Sequence, residues 1–249
     1  MKKKIIINAD DCGKDFIVDK CIRDSILQGR ISSTTIMANM DDFEGAVSLY
    51  NDFNDIISFG WHINLTEGSP LTHSQQLLDI GFYKEIDGKL VFNGQQFRNK
   101  IFDRSVKNEI KKELRVQWEK LHDNGIEISH ADSHHHIHAA PSMLWIRVSL
   151  FEEMNITRCR HIKNYGFSKA SNLVRFIWTV PFKLHGIRMP DNLGDFAMYY
   201  NNPEMPQGKV IELECHPGHS SQFFQDEMKL VYDTDIKRWD AQLITYKDF

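Results

Sequence analysis

A chain of 249 residues, 41% hydrophobic and 26% charged, is long enough for one large α/β domain with a substantial core. Its net charge of −4 provides no basic field of the kind that draws nucleic acid or an anionic membrane surface. No stretch approaches the ~20 apolar residues of a membrane span, and Ile5–Ile7 is too short a run for a signal peptide. The four cysteines, Cys12, Cys21, Cys159 and Cys215, lack CxxC spacing, so a soluble protein of the reducing cytoplasm is expected.

The first predicted element is Lys3–Ala9, a β-branched run that suits a strand buried on both faces. It ends in Asp10, Asp11, Cys12 and Gly13. A helical pattern follows through Phe16, Ile17, Cys21, Ile22, Ile26 and Leu27 and stops at Gly29. A second strand near Ile31–Met37, a short helix over Phe43–Tyr50 and a third strand over Ile56–Asn64 come next, the last running into a polar turn at Thr66–Pro70. Residues 71–103 show no sustained period and are interrupted by Gly81, Gly88 and Gly94; they read as a long excursion that shapes a substrate site. Ile110, Leu114, Trp118 and Leu121 recur at helical spacing, and that helix ends at Gly125 with Trp118 as a core anchor.

Ser129–His138 then packs five of the twelve histidines, with Asp132, into ten residues. On a strand, alternation places His130, Asp132 and His134 on one face. Pro141 suits the first turn of the next helix, to about Met154. Arg158–Ile162 reads as a short fifth strand, Ser168–Leu184 as a helix with Pro181 near its end, and Lys209–Cys215 as a strand entering His216-Pro217-Gly218-His219. A final helix is expected within Thr234–Thr245. Strands alternating with helices, and no internal repeat or linker, predict a single domain (residues 1–249) with a mostly parallel sheet, either closed as a barrel or open and doubly wound.

Four strand ends carry ionisable groups: Asp10-Asp11, His62, Asp132-Ser133-His134, and His216. Parallel strands bring their C-terminal ends to one rim, so these groups can meet. A catalytic metal site commonly has about three protein ligands and one open position, and Asp11, His62 and His134 supply such a set. Asp10 then fits a base and His216 an acid that protonates a leaving amine: metal-assisted hydrolysis of an amide. Other readings stay open here. The Asp pair also suits an N-cap, and the histidine run also suits a solvated loop.

Taken in order, Ile-Asn-Ala-Asp-Asp-Cys-Gly (7–13), Ser-Thr-Thr (33–35), Gly-Trp-His-Ile-Asn-Leu-Thr-Glu-Gly-Ser-Pro-Leu (60–71), His-Ala-Asp-Ser-His-His-His-Ile-His (130–138) and Glu-Leu-Glu-Cys-His-Pro-Gly (212–218) resemble the YdjC-like carbohydrate deacetylases, the chitooligosaccharide (diacetylchitobiose) deacetylase family. The resemblance implies an α/β fold, a distorted (β/α) barrel, and removal of an N-acetyl group from an amino sugar or short oligosaccharide. It implies one divalent metal on Asp11, His62 and His134, with Asp10 as base and His216 as acid. Magnesium is usual for the family; two imidazoles suit zinc or another transition metal. Trp61, Asp132 and His138 are candidates for touching the sugar, a packing role for Trp61 being equally open. The expected partner is a small carbohydrate, without nucleic acid or membrane, and with a homodimer left open. Cys12 stands where the family usually has an aromatic. A metal-dependent phosphoester or ester hydrolase, and a non-catalytic sugar- or metal-binding protein, are the alternatives.

Overall fold

The β-branched N-terminal run becomes β1 (Lys3–Cys12) in a computed structural model that describes residues 2–164, 168–201 and 209–249. Every residue of β1 from Ile5 on is buried, as a central parallel strand requires. Ile5, Ile7 and Ala9 pack into the main core, while Ile6 joins Ile244 and Tyr246 in a second cluster. By alternation Asn8 and Asp10 share the face of Ile6, which is the concave face of the sheet.

The elements that follow are α1 (Phe16–Leu27), β2 (Ser33–Ile36), α2 (Phe43–Phe53), β3 (Ser58–Ile63), α3 (Gln75–Asp79), β4 (Tyr83–Ile86), β5 (Lys89–Phe92), α4 (Arg104–Asp123), β6 (Ala131–Ser133), α5 (Leu144–Glu153), α6 (Lys169–Leu184), β7 (Asn192–Asp195), α7 (Phe196–Asn201), β8 (Val210–Cys215), α8 (Gln222–Asp233) and β9 (Ala241–Leu243). Six strands pair in parallel in the order β6-β3-β2-β1-β8-β7, and β9 adds to the start of β1. Between the outer strands β6 and β7 runs the segment 158–164. It bridges Ala131 through Cys159 and Arg188 through Arg158, and Asn164 N–H donates to Leu193 O at 3.3 Å. The sheet thus curls into the distorted (β/α) barrel that the family resemblance implies, with its strand C-termini on one rim. Among the described residues no helix is long and apolar enough to cross a membrane.

Several expectations need correction. Asp15 caps α1, accepting from Ile17 N–H and Val18 N–H, so Asp10 and Asp11 are free of that duty. The excursion is ordered: β4 and β5 form a hairpin whose turn residues, Asp87 and Gly88, both have positive φ (51° and 74°), as a type I′ turn demands. Phe82, Tyr83, Phe92, Phe97 and Phe102 give it an aromatic core. Arg158–Ile162 makes isolated bridges instead of a strand. The last long helix is α8, before Thr234; the expected helix within Thr234–Thr245 is a 3₁₀ turn, Ile236–Trp239, followed by β9.

Inside the barrel, His130 lies flat on Tyr246, ring centroids 3.5 Å apart, and its edge reaches across β3. A Cβ at Gly60 would fall 2.5 Å from His130 Cε1, which is why this position of Gly-Trp-His lacks a side chain. Replacing Gly60 by Ala is expected to destabilise the fold by about 1–3 kcal/mol, as overpacking does. Denaturant unfolding measures this, and an unchanged midpoint would contradict the packing.

Candidate active site

The strand C-termini surround a cavity of about 330 Å³. Asp10 and Asp11 both line it although they are adjacent in β1. A register shift between Ala9 and Cys12, with Asp11 at φ 69°, breaks the alternation and turns the second carboxylate back toward the first. Asp tolerates this left-handed backbone better than most residues. His62 sits at the end of β3, in register with Asp132 of β6. His134 follows β6 directly, and the next two residues, His135 and His136, are left-handed (φ 51° and 50°). Two such residues in a row cost about 1–2 kcal/mol each. Arg98, from the excursion, donates to the carbonyls of both, at 2.8 and 3.4 Å, and so holds the turn.

Asp11 is the hub of the imidazoles. Its Oδ1 lies 3.0 Å from His62 Nε2 and 2.8 Å from His134 Nδ1, and its Oδ2 lies 2.9 Å from His219 Nε2. Burial would raise its carboxyl, but His134 above all holds it well below the usual range. The other ring nitrogen of His62, Nδ1, meets Asp132 Oδ1 at 2.6 Å, and Thr35 Oγ1 donates to Asp132 Oδ2 at 3.1 Å. Burial alone would lower His62; Asp132 and Asp11 outweigh it and push it up to about 10.

These residues fit a divalent cation. Asp11, His62 and His134 can each offer one ligand atom, all within 4.8 Å of one another. The buried Asp11 Oδ1 makes no aligned hydrogen bond despite its close neighbours, as expected for an oxygen that serves a cation. The carboxylate of Asp132 behind His62 is the usual support for a metal-binding imidazole. Two other groups bring ligand atoms equally close, Glu67–His134–His135 and Asp10–His62–Asp132. Their carboxylates are already neutralised, Glu67 by Lys14 Nζ at 2.8 Å and the aspartates by Arg160, so the Asp11 set is the better cradle.

Arg160 is the residue that sequence reasoning misses. It is wholly buried, grips Asp10 with both Nη atoms (2.7 and 2.6 Å), reaches Glu212 through Nε at 2.8 Å, and has Asp132 2.9 Å and Glu214 3.4 Å from Nη1. Burial would raise Asp10; the guanidinium more than reverses that and keeps it ionised. Register offers the one available signal, since Ile6 pairs with Glu212 and Asn8 with Glu214, setting two buried acids beside the face of Asp10.

His216 lies beyond β8, its Nε2 3.9 Å from Asp10 Oδ2 and its Nδ1 3.4 Å from the buried Glu227 Oε2. Burial lowers it, but the hydrogen bond to Glu227 and then the charge of Asp10 raise it to about 9. The ring is therefore an acid at neutral pH. His219, which the sequence shows only as part of a turn, also lines the cavity, where Gly218 packs against α1 so closely that a Cβ would lie 2.7 Å from Val18 Cα.

The expected sugar contacts fare differently. Trp61 is fully buried in the main core; one residue from His62 on the same strand, it faces the opposite way and cannot stack on a sugar. Asp132 is buried behind His62 and Arg160, where it orients those groups instead of meeting a ligand. The side chain of His138 lies outside the described residues.

Fold and site together define a class: a distorted parallel (β/α) barrel whose C-terminal rim carries an acid–imidazole site able to hold a divalent cation. The chain belongs to the YdjC-like protein family, whose model matches residues 4–247. It is 28% identical over 259 residues to a protein of Brevibacillus brevis named carbohydrate deacetylase, covering 98% of this chain and 99% of that one. A carbohydrate deacetylase of Clostridium beijerinckii is 31% identical over 223 residues, 87% of this chain and 82% of the relative. In three dimensions the chain is similar to a crystal structure from Enterococcus faecalis V583, described as a candidate cellobiose-phosphate cleavage protein, with a TM-score of 0.77 and 19% identity over 100% of this chain and 99% of that one. That likeness shows the shared fold.

Asp132→Asn should weaken binding of a divalent cation about 10–100-fold by removing the support of His62, as calorimetric titration with zinc would read; unaltered affinity would detach Asp132 from the cradle. Arg160→Met should destabilise the fold by about 3–5 kcal/mol, because it strands buried carboxylates, and a chemical denaturation curve overlapping that of the parent would refute the clamp.

Proposed function

We propose that this protein is a metal-dependent carbohydrate deacetylase that removes an N-acetyl group from an amino sugar or short oligosaccharide. The observation that carries the reading is the division of labour in one cavity: a cation cradle on Asp11, His62 and His134, an ionised Asp10 beside it, and a protonated His216 facing Asp10. The names of the relatives from Brevibacillus brevis and Clostridium beijerinckii support it.

When bound in the cradle, a divalent cation supplies Lewis acidity to the acetamide carbonyl and eases deprotonation of water. Asp10 Oδ2, which faces His216, takes the proton from the attacking water. Arg160 fixes the orientation of that carboxylate and keeps it anionic over the working pH range. Glu227 holds Nδ1 of His216, so Nε2 is the atom that delivers a proton to the departing nitrogen. Acetate and the free amino sugar result. The charges also favour an uncharged amide over a phosphoester: Lys14 is paired with Glu67, and Lys163 with Asp195 and Glu214, leaving neither for a phosphate.

Acetate release from N-acetylated mono- and oligosaccharides tests the reading. The parent should lose activity on chelation and regain it with zinc or magnesium, and Asp10→Asn should retain metal yet lose turnover by at least about 10²-fold, the usual scale of a general base. Phosphate release in place of acetate would overturn the assignment. Because His216 is protonated below about 9, kcat/KM should fall as pH rises through that value. Glu227→Gln removes its anionic partner and should move this limb toward the ordinary histidine value of 6.5; an unmoved limb would exclude His216 as the acid.

A further inference from the structure

Glu67 closes the run Gly-Trp-His-Ile-Asn-Leu-Thr-Glu that begins in β3, yet it takes no part in the chemistry above. The turn that carries it is tightly built. Asn64, fully buried, accepts the backbone N–H of Thr66 and of Glu67 on Oδ1 at 3.0 and 3.1 Å, and its Nδ2 donates to Glu67 O at 2.8 Å. Asn39 donates to the same carbonyl at 3.1 Å. Gln117 of α4 donates to Asn64 O at 2.7 Å and so ties the turn to a long helix. Asn side chains commonly close such turns on their own backbone. Five residues after His62, the chain thus presents a second carboxylate in a fixed place.

That carboxylate meets the other imidazole of the cradle. His134 turns Nδ1 toward Asp11 Oδ1, at 2.8 Å, and Nε2 toward Glu67 Oε2, also at 2.8 Å. A neutral imidazole carries one N–H. A ring that gives its Nδ1 lone pair to a cation must keep that proton on Nε2, where Glu67 accepts it. His62 is the mirror case: Nε2 faces Asp11 and Nδ1 faces Asp132. The two imidazoles therefore use opposite nitrogens, and each has a carboxylate behind it. These carboxylates differ in their own partners. Asp132 is held by Arg160 in the interior, whereas Glu67 is held at the rim by Lys14, whose Nζ lies 2.8 Å from the same Oε2. Lys14 is also tethered to the cradle, its backbone N–H donating to Asp11 O at 3.1 Å. Its ammonium and the Nε2–H of His134 share one oxygen, so Lys14 draws off part of the negative charge that Glu67 directs at the ring.

We propose that Glu67 and Lys14 form a positioning pair that sets how strongly His134 holds the cation. Glu67 fixes the ring with Nδ1 toward the cradle and makes it a stronger ligand, and Lys14 moderates that effect. The pair deepens the deacetylase reading and rests on its cation cradle, though not on the acetamide. Zinc affinity of the full chain, read without substrate by competition with a chromophoric chelator, is the test. Glu67→Gln keeps an oxygen for the Nε2–H but removes the charge, and should weaken zinc binding about tenfold; Glu67→Ala loses both and should weaken it about 100-fold. Lys14→Met should act in the opposite direction and tighten binding about two- to fivefold, the scale of a partly exposed ion pair. Because Lys14 acts through Glu67, adding Lys14→Met to Glu67→Gln should change nothing further. Equal affinity of the parent and Glu67→Ala proteins overturns the pair. So does a Lys14→Met effect of undiminished size in the Glu67→Gln protein, or zinc seated on Nε2 of His134 in crystals. Acetate release is scored separately. If the affinities follow the expected order and no acetylated sugar yields acetate, the pair stands and the deacetylase reading falls. If the parent releases acetate and the Glu67 variants bind zinc as it does, the reading stands and the pair falls.

Discussion

The bidentate grip of Arg160 on Asp10 is the interaction on which the rest of the site depends. A lone guanidinium in a barrel interior would be prohibitively costly, as would the acids around it, and each tolerates burial only because of the other. Through Asp10 it fixes the proposed base; through Asp132 it backs the imidazole of His62; through Glu212 it reaches Tyr246, whose hydroxyl donates to that carboxylate at 2.5 Å. The C-terminal segment is thereby coupled to the rim chemistry by a continuous polar column. Its planar fork suits this task; a lysine would offer one point charge where several carboxylates from different strands need fixed directions.

Above that column the rim departs from regular backbone wherever a functional side chain has to be turned. Asp11 leaves the strand alternation through a left-handed step, and His135 and His136 do the same after β6. These are local costs set against a rigid sheet, the usual setting for strained residues at functional sites. The excursion between β3 and α4 helps to stabilise one of them, since its Arg98 holds the carbonyls that the left-handed pair presents. An element that looks like an appendage in the sequence is thus part of what sets His134 beside Asp11.

Much of this is legible in the amino-acid sequence. β1, β3 and β8 announce themselves as apolar runs ending in Asp10-Asp11, His62 and His216, and a parallel arrangement alone is enough to make those ends meet. Arg160 is not legible, because its strand-like segment makes only isolated bridges and its partners come from β1, β6 and β8, which no local pattern connects. The hairpin signal Asp87-Gly88 is visible but reads as a break, since the flanking strands are only four residues each. α8 escapes the sequence reading although Phe224, Met228 and Val231 recur at helical spacing; beyond it the chain turns at Asp240, φ 47°, into β9. Trp61 shows the limit of adjacency as a guide: being next to His62 on a strand guarantees the opposite face.

The proposed chemistry turns on a cation bound where three strands end. Anomalous diffraction from crystals of the protein soaked in zinc is the most direct test. One dominant peak shared by Asp11, His62 and His134, open toward the cavity, is the expected result. A dominant peak at Glu67 and His135, or none on the rim while the protein still releases acetate, would contradict it.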